Sequence, residues 1–336
     1  MSGWQRCQTL KELGHEVIPF EQSGYLNRAA VRAPFRLLTQ QFYHERAVEE
    51  FNRSLLNELV ASQPEVAWLE WPMIVRRETL AEAVRRLPKC RFVSFQDDNP
   101  LGARPSEQQR WRDFLDAIPQ YDLHFVKRPT DESELQRRGA KATRLFRHGF
   151  YAPLFRPLSA TSVPERLRQR VSFVGSPLDH RVRIVFDLLN KHKVPMRVYG
   201  NRWNRTLSYF RNRSSFGSAV LGDDYVRVIC GSRICLGFVS SSNGDEYSMR
   251  TFEVPACKGF FLAERTPIHQ ELFEEGQEAE FFGSVEECAD KIRFYLNNEA
   301  ARDRVAEQGY QRCLKSGYSL HRSVSRALDQ IQALNE

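Results

Sequence analysis

The chain of 336 residues contains no apolar run approaching the roughly 18 residues that span a bilayer, which argues against a membrane-crossing helix. Its opening MSGWQRCQTL has neither the basic n-region nor the apolar h-region of a signal peptide, so a cytoplasmic location is expected. Cysteine is scarce in the ways that matter: the seven (Cys7, Cys90, Cys230, Cys235, Cys257, Cys288, Cys313) are odd in number, scattered, and form no C-x-x-C pair. That excludes a disulfide framework and a thiolate metal cluster, and predicts reduced, mostly buried thiols with no bound metal. No short-period repeat is present, so a solenoid or propeller is excluded as well.

What is there fits a globular enzyme: 41% apolar and 27% charged residues, in a length that allows two ordinary domains. The net charge of +7 is shared, +4 over residues 1–160 and +3 over the rest. Locally it is uneven. Between Arg166 and Arg213 stand twelve Lys or Arg against only Asp179 and Asp187. Such a stretch suits phosphates, whether of a nucleotide sugar or of an anionic membrane touched peripherally at its inner face. It has few interleaved aromatics and no nucleic-acid module, so nucleic acid is not an expected partner.

Periodicity predicts alternating helices and strands in both halves. In the first, helices near 4–13, 44–62, 77–87, 111–118 and 131–138 alternate with strands at 15–20, 66–71, 91–95, 122–126 and 143–147. Residues 149–164, with three prolines, read as a linker, and VSFVGS at 171–176 restarts the pattern. A doubly wound domain usually opens with its central strand and a glycine-bearing loop, yet this chain opens in the helix WQRCQTLKEL. The first strand of the N-terminal domain is therefore expected to be missing. The expected domains are 1–157, 165–320 and a C-terminal helix, 321–336, crossing back on the face of Val324, Leu328, Ile331 and Leu334.

Local chemistry is clearest after Ser248. Lys258-Gly259 ends a short helix, and Phe260 to Ala263 form a run of buried-strand length. Thr266-Pro267 is an N-cap with proline at the first helical position, while Ser284 and Glu287 make a capping box. Helix and strand alternate, so the sheet is parallel and the class is α/β.

Arg250, Phe252, Glu253, Ala256, Gly259 and Phe261, then Phe273, Gly276 and Glu278, follow the pattern R-x-F-E-x-x-A-x-G-x-F and F-x-x-G-x-E. On these residues the chain resembles the CgeB-like glycosyltransferases, over about 170 to 325 and more loosely over 10 to 157. The resemblance implies a GT-B fold, two Rossmann-like domains facing across a cleft. It also implies transfer of a sugar from a nucleoside diphosphate sugar to a hydroxyl of a glycan, lipid-linked sugar or protein, of hexosyltransferase type, without metal or cofactor.

Ligands of open α/β sheets sit beyond the carboxyl ends of strands, which directs attention to the loops there. After VSFV come Gly175 and Ser176, where close backbone approach and free helix N–H groups suit a diphosphate. Arg181 is the position matching the family's arginine. Gly200 and Asn201 follow strand MRVY, where a base or ribose edge could rest beside Trp203. In similar enzymes a glutamate at the position of Glu253 accepts the ribose hydroxyls, a role needing an ionised acceptor, and the helix start is expected to keep it ionised. Arg250 is a candidate for the diphosphate, with an ion pair to Glu246 as its plain structural alternative. Where relatives carry E-x7-E, this chain has Asp245 eight residues before Glu253, a candidate near the transferred sugar. Asp97 and Asp98, at the end of strand RFVSF, are candidate general bases in an inverting transfer, or else turn residues. His148 and His180 are secondary candidates, and Tyr225 reads as structural. An epimerase of the same fold and a non-catalytic sugar-nucleotide-binding protein are the competing functions.

Overall fold

The computed structural model describes residues 2–31, 42–102 and 105–335. The chain divides into two compact units, one formed by residues 1–147 with 324–336 and the other by 148–323.

Among the described residues, the first unit has one parallel sheet of four strands in the order β1 (Val66–Glu70), β2 (Arg91–Phe95), β3 (Leu123–Val126) and β4 (Thr143–Leu145). Phe92, Val93, Phe95, Leu123, Phe125 and Val126 are almost fully buried, because helices cover both faces of a parallel sheet. The helix Glu45–Ser62 presents Val48, Phe51, Leu55 and Leu59 at helical spacing to this core. Asn52 inside that helix accepts from the Arg76 amide at 2.9 Å and donates to the Ile74 carbonyl at 2.7 Å, which fixes the chain leaving β1.

Residues 15–20 do not form the strand their pattern predicts. Ile18 is 51% exposed and Pro19 cannot donate to a ladder, so neither a buried face nor a full set of sheet hydrogen bonds is on offer. Phe20 tucks instead against Tyr25 and Phe51. Among the described residues no strand precedes β1, and the helix Ser2–Glu12 sends Arg6 to Glu70 at its end. The Arg6 guanidinium also lies 4.7 Å over the ring of Phe95.

The second unit has a six-stranded parallel sheet: β5 (Gln169–Val174), β6 (Met196–Tyr199), β7 (Phe216–Gly217), β8 (Ser232–Gly237), β9 (Phe261–Glu264) and β10 (Glu280–Phe282). Their spatial order is β10-β9-β8-β5-β6-β7, all neighbours parallel. The order reverses between β5 and β8, so the switch point of the fold lies at their carboxyl ends. Ser284 and Thr266 cap the helices Val285–Asn297 and Pro267–Leu272 as their sequences predict. The motif around Gly276 makes a turn: Gly276 has φ of 81°, and Glu278 accepts from the Glu274 amide at 2.9 Å. The helix Leu320–Gln332 buries Val324, Ala327 and Ile331, and residues from Val324 on belong to the first unit. No described helix is long and apolar enough to cross a membrane.

Candidate functional site

Two loops meet at the switch point. After β5, Gly175 and Ser176 lead to Asp179, whose φ of 53° lies in the left-handed region an aspartate tolerates. Asp179 Oδ2 accepts from Ser240 Oγ at 2.8 Å, Ser242 Oγ at 2.9 Å and the Ser242 amide at 3.3 Å. The loop after β5 is thereby tied to the loop after β8. His180 adds a second tie, to Ser241 Oγ at 3.1 Å and to Glu264, whose other oxygen accepts from the Val239 amide at 2.7 Å.

Gly175 and Gly200 are neighbours for a steric reason. A Cβ on Gly200 would lie 2.1 Å from the Gly175 carbonyl oxygen, so only glycine lets the ends of β5 and β6 approach this closely. The same carbonyl accepts from the Trp203 indole at 2.8 Å. Trp203 is buried and packs on Phe173, Phe186 and Phe216, so it is a core residue. Asn201 is exposed beside it.

Arg181 opens the helix Arg181–Asn190 and is buried, with Nη2 donating to the Val239 carbonyl at 3.0 Å. Arg250 opens the helix Arg250–Ala256, its guanidinium 5.6 Å over the ring of Phe173. The Nε of each is buried without a hydrogen-bond partner. Burial, and next the like charge of Arg250, push the Arg181 guanidinium down to about 10, while Asp179, Glu264 and Asp245 act against them. Two guanidinium groups that feel one another, each with an unsatisfied buried donor, have the chemistry that an anion with several oxygens would complement. Among the described residues Arg250 makes no ion pair with Glu246, whose carbonyl instead accepts from Thr266.

Glu253 sits one turn beyond Arg250 and is 6% exposed. Its Oε2 accepts from Tyr225 Oη at 2.9 Å. The expectation of a firmly ionised carboxylate is corrected: burial pushes the group up to about 7, and the Tyr225 hydrogen bond and the Arg250 charge only partly oppose it. Tyr225, read as structural from its sequence, lies 5.9 Å from the ring of Phe155 and holds Glu253 in place, a pairing that sequence reasoning missed. Nothing local signals it, since it lies on another helix. Glu264 was also passed over, although a carboxylate at the carboxyl end of a buried strand was a visible sign.

Asp245 lies in the loop after β8, its amide donating to the Ser240 carbonyl at 2.9 Å and its charge felt by Arg181. Gly175, Ser176, Arg181, Gly200, Arg250, Glu253 and Asp245 thus belong to the carboxyl ends of one sheet. Asp97 and Asp98 belong to the other unit, beyond β2. Their backbone carbonyls accept from the Arg128 guanidinium at 3.3 and 3.2 Å, and Arg128 is held by Asp131 in a buried ion pair. The turn there is made by Asn99, whose side chain accepts from the Leu101 amide at 2.9 Å. His148 is buried beside Tyr247, ring centroids 6.2 Å apart.

Residues 180–329 match the family model described as glycosyl transferase-like. No curated protein matches the chain in sequence. Among solved structures the chain is similar to a sucrose-phosphate synthase from Thermosynechococcus elongatus, with TM-score 0.64 and 12% identity over 99% of this chain and 92% of that one. It is similar to Anabaena HepE in complex with UDP-glucose, with TM-score 0.63 and 12% identity over 84% and 82%. A glycosyltransferase from Rickettsia africae aligns with TM-score 0.62 and 11% identity over 99% and 94%. The chain has the GT-B fold.

Proposed function

We propose that this chain transfers a sugar from a nucleoside diphosphate sugar to an acceptor hydroxyl, as a glycosyltransferase of the CgeB-like branch. The observation that carries the proposal is the pair Arg181 and Arg250, two buried donors without partners at the switch point, with the buried Glu253 one turn away. The guanidinium groups receive the diphosphate and offset the charge that develops on it as the glycosidic bond breaks. That supply of positive charge is why metal-independent transfer is proposed, with no cofactor beyond the donor substrate. Glu253 receives the ribose hydroxyls, with Tyr225 fixing its orientation. Gly175, Ser176, Gly200 and Asn201 leave the backbone open to the nucleotide.

For the acceptor proton the carboxylates on offer are Asp97 and Asp98 in the first unit, if transfer inverts. Asp245 stands near the sugar if it retains. The acceptor is a glycan, a lipid-linked sugar or a protein hydroxyl, and the work is done in the cytoplasm. The HepE complex makes a uridine diphosphate hexose the first donor to try.

Calorimetry with a panel of nucleotide sugars tests the donor site. One nucleotide sugar is expected to bind wild type, and Arg250→Ala and Glu253→Ala each weaken it by about tenfold or more, the loss expected for a hydrogen bond to a charged group. Wild-type affinity in both variants, with the fold intact, overturns the assignment. Free epimerised sugar nucleotide, in place of released nucleoside diphosphate, would point to the epimerase.

A further inference from the structure

Between Leu188 and Gly222 the sequence has no Asp or Glu and seven Lys or Arg. Within this stretch the 3-10 segment Leu207–Ser215 runs into β7, the edge strand of the second sheet. Residues three apart in a 3-10 turn eclipse one another, so Leu207 and Phe210 share a side. They are 95% and 74% exposed. Tyr209 between them packs on the core instead, its ring 5.2 Å from that of Phe216, and Arg197 donates to the Ser214 carbonyl. The segment is therefore anchored in a shape that holds two large apolar side chains out in water.

Arg202 and Arg205, just before this segment, and Arg211 and Arg213, within it, are exposed. The ion pairs nearest in sequence, Lys191 with Asp187 and Arg227 with Asp224, lie outside it. A merely solvated basic face would carry the charges without the Leu and Phe. Apolar side chains that enter the acyl boundary, together with guanidinium groups at the level of the headgroup phosphates, match an anionic bilayer surface. Nucleic acid fits less well, since aliphatic Leu207 offers no face for a base to stack on. A two-fold contact with a second copy would set this positive stretch against itself.

We propose that Leu207 and Phe210, with Arg202, Arg205, Arg211 and Arg213, form a peripheral docking surface for an anionic membrane. The proposal rests on this exposed segment and not on sugar transfer, and its test needs no donor.

The test is co-sedimentation of the full chain with sucrose-loaded vesicles, either of phosphatidylcholine alone or of phosphatidylcholine with phosphatidylglycerol. At low salt the chain is expected to sediment with the anionic vesicles more strongly than with the neutral ones by about a hundredfold or more, as four arginines at roughly fivefold each imply, and raised salt removes the difference. The double variant L207S/F210S loses most of the binding, and R211Q/R213Q loses roughly fivefold for each charge removed. Both variants keep the wild-type melting temperature, since all four side chains are exposed. Absent binding to anionic vesicles, or equal binding by wild type and both variants, overturns the proposal. So does a change confined to self-association in L207S/F210S, which would assign the patch to a second copy. A single-stranded oligonucleotide shift lost in R211Q/R213Q, with vesicle binding unchanged, would assign it to nucleic acid.

Discussion

Glu253 shows how one buried side chain links stability to ligand. Its folded value of about 7 lies above the ordinary 4.5, so the native state holds the proton more readily than the unfolded chain between those values. Stability is accordingly lost as pH rises from 4.5 to 7, by about 3 kcal/mol at most. Ribose hydroxyls prefer the ionised form, so donor affinity is expected to rise between about pH 6 and pH 8 and then level off. The measurement is calorimetric and uses the nucleotide sugar, because the terminal phosphate of a free diphosphate titrates in the same range. Tyr225→Phe removes the hydrogen bond that favours the carboxylate, so the rise should move to higher pH and affinity at pH 7 should fall several-fold. An unmoved profile would reduce Tyr225 to packing. For Asp97 and Asp98, replacement of each by Asn is expected to lower turnover about a hundredfold in whichever is the base, with donor affinity kept. Normal turnover in both variants would remove them from the chemistry.

At the scale of elements, the contact between Gly175 and Gly200 invites a paired comparison. Gly200→Ala sets a Cβ 2.1 Å from the Gly175 carbonyl, and Gly309→Ala sets one 2.2 Å from the Glu278 carbonyl. Both atoms are backbone, so each variant should lose about 1–3 kcal/mol. Only Gly200→Ala should also weaken the nucleotide sugar, because it parts the strand ends under the donor loop. Titration of both variants checks this, and a donor loss in Gly309→Ala as well would make the effect global. Much at this scale was legible in the sequence. The alternation after Val171, the caps at Thr266 and Ser284 and the buried run ending at Ala263 are local signals, and the structure has them where the residues put them. The strand predicted at 15–20 fails because its pattern came without a partner strand to pair with and with Pro19 inside it. The Tyr225 bond to Glu253 and the raised carboxyl depend on which helices pack together, and no short window of sequence contains that.

For the whole molecule, acid should weaken the two units unequally. His124 in the first and His269 in the second are buried, and burial pushes each down to about 4 from 6.5. Each donates from one ring nitrogen to a carbonyl, of Ile118 or Glu264, and accepts a hydroxyl from Ser94 or Thr251 with the other. Unfolded, both take protons below pH 6.5, so the stability they confer is present above 6.5 and lost as pH falls towards 4, by about 3 kcal/mol each at most. In the second unit Glu253 gains stability over nearly the same fall in pH and offsets His269. In the first unit burial also raises a carboxyl, Asp113, but from the lower ordinary value of 3.8, so it offsets His124 less over this range. Hydrogen exchange at pH 7 and pH 5 should therefore show protection falling more in β2 and β3 than in β5 and β8, and an equal fall would contradict it.

The division of the chain also bears on the order of its making. The second unit is one continuous stretch, residues 148–323, whereas the first is closed by residues from Val324 on. On a ribosome, domains commonly fold in the order in which they emerge. Here the second unit can be finished while the first still waits for Val324, Ala327 and Ile331 to cover apolar surface. The half that is synthesised first is thus the half completed last, and during that interval it is the part most dependent on protection from aggregation.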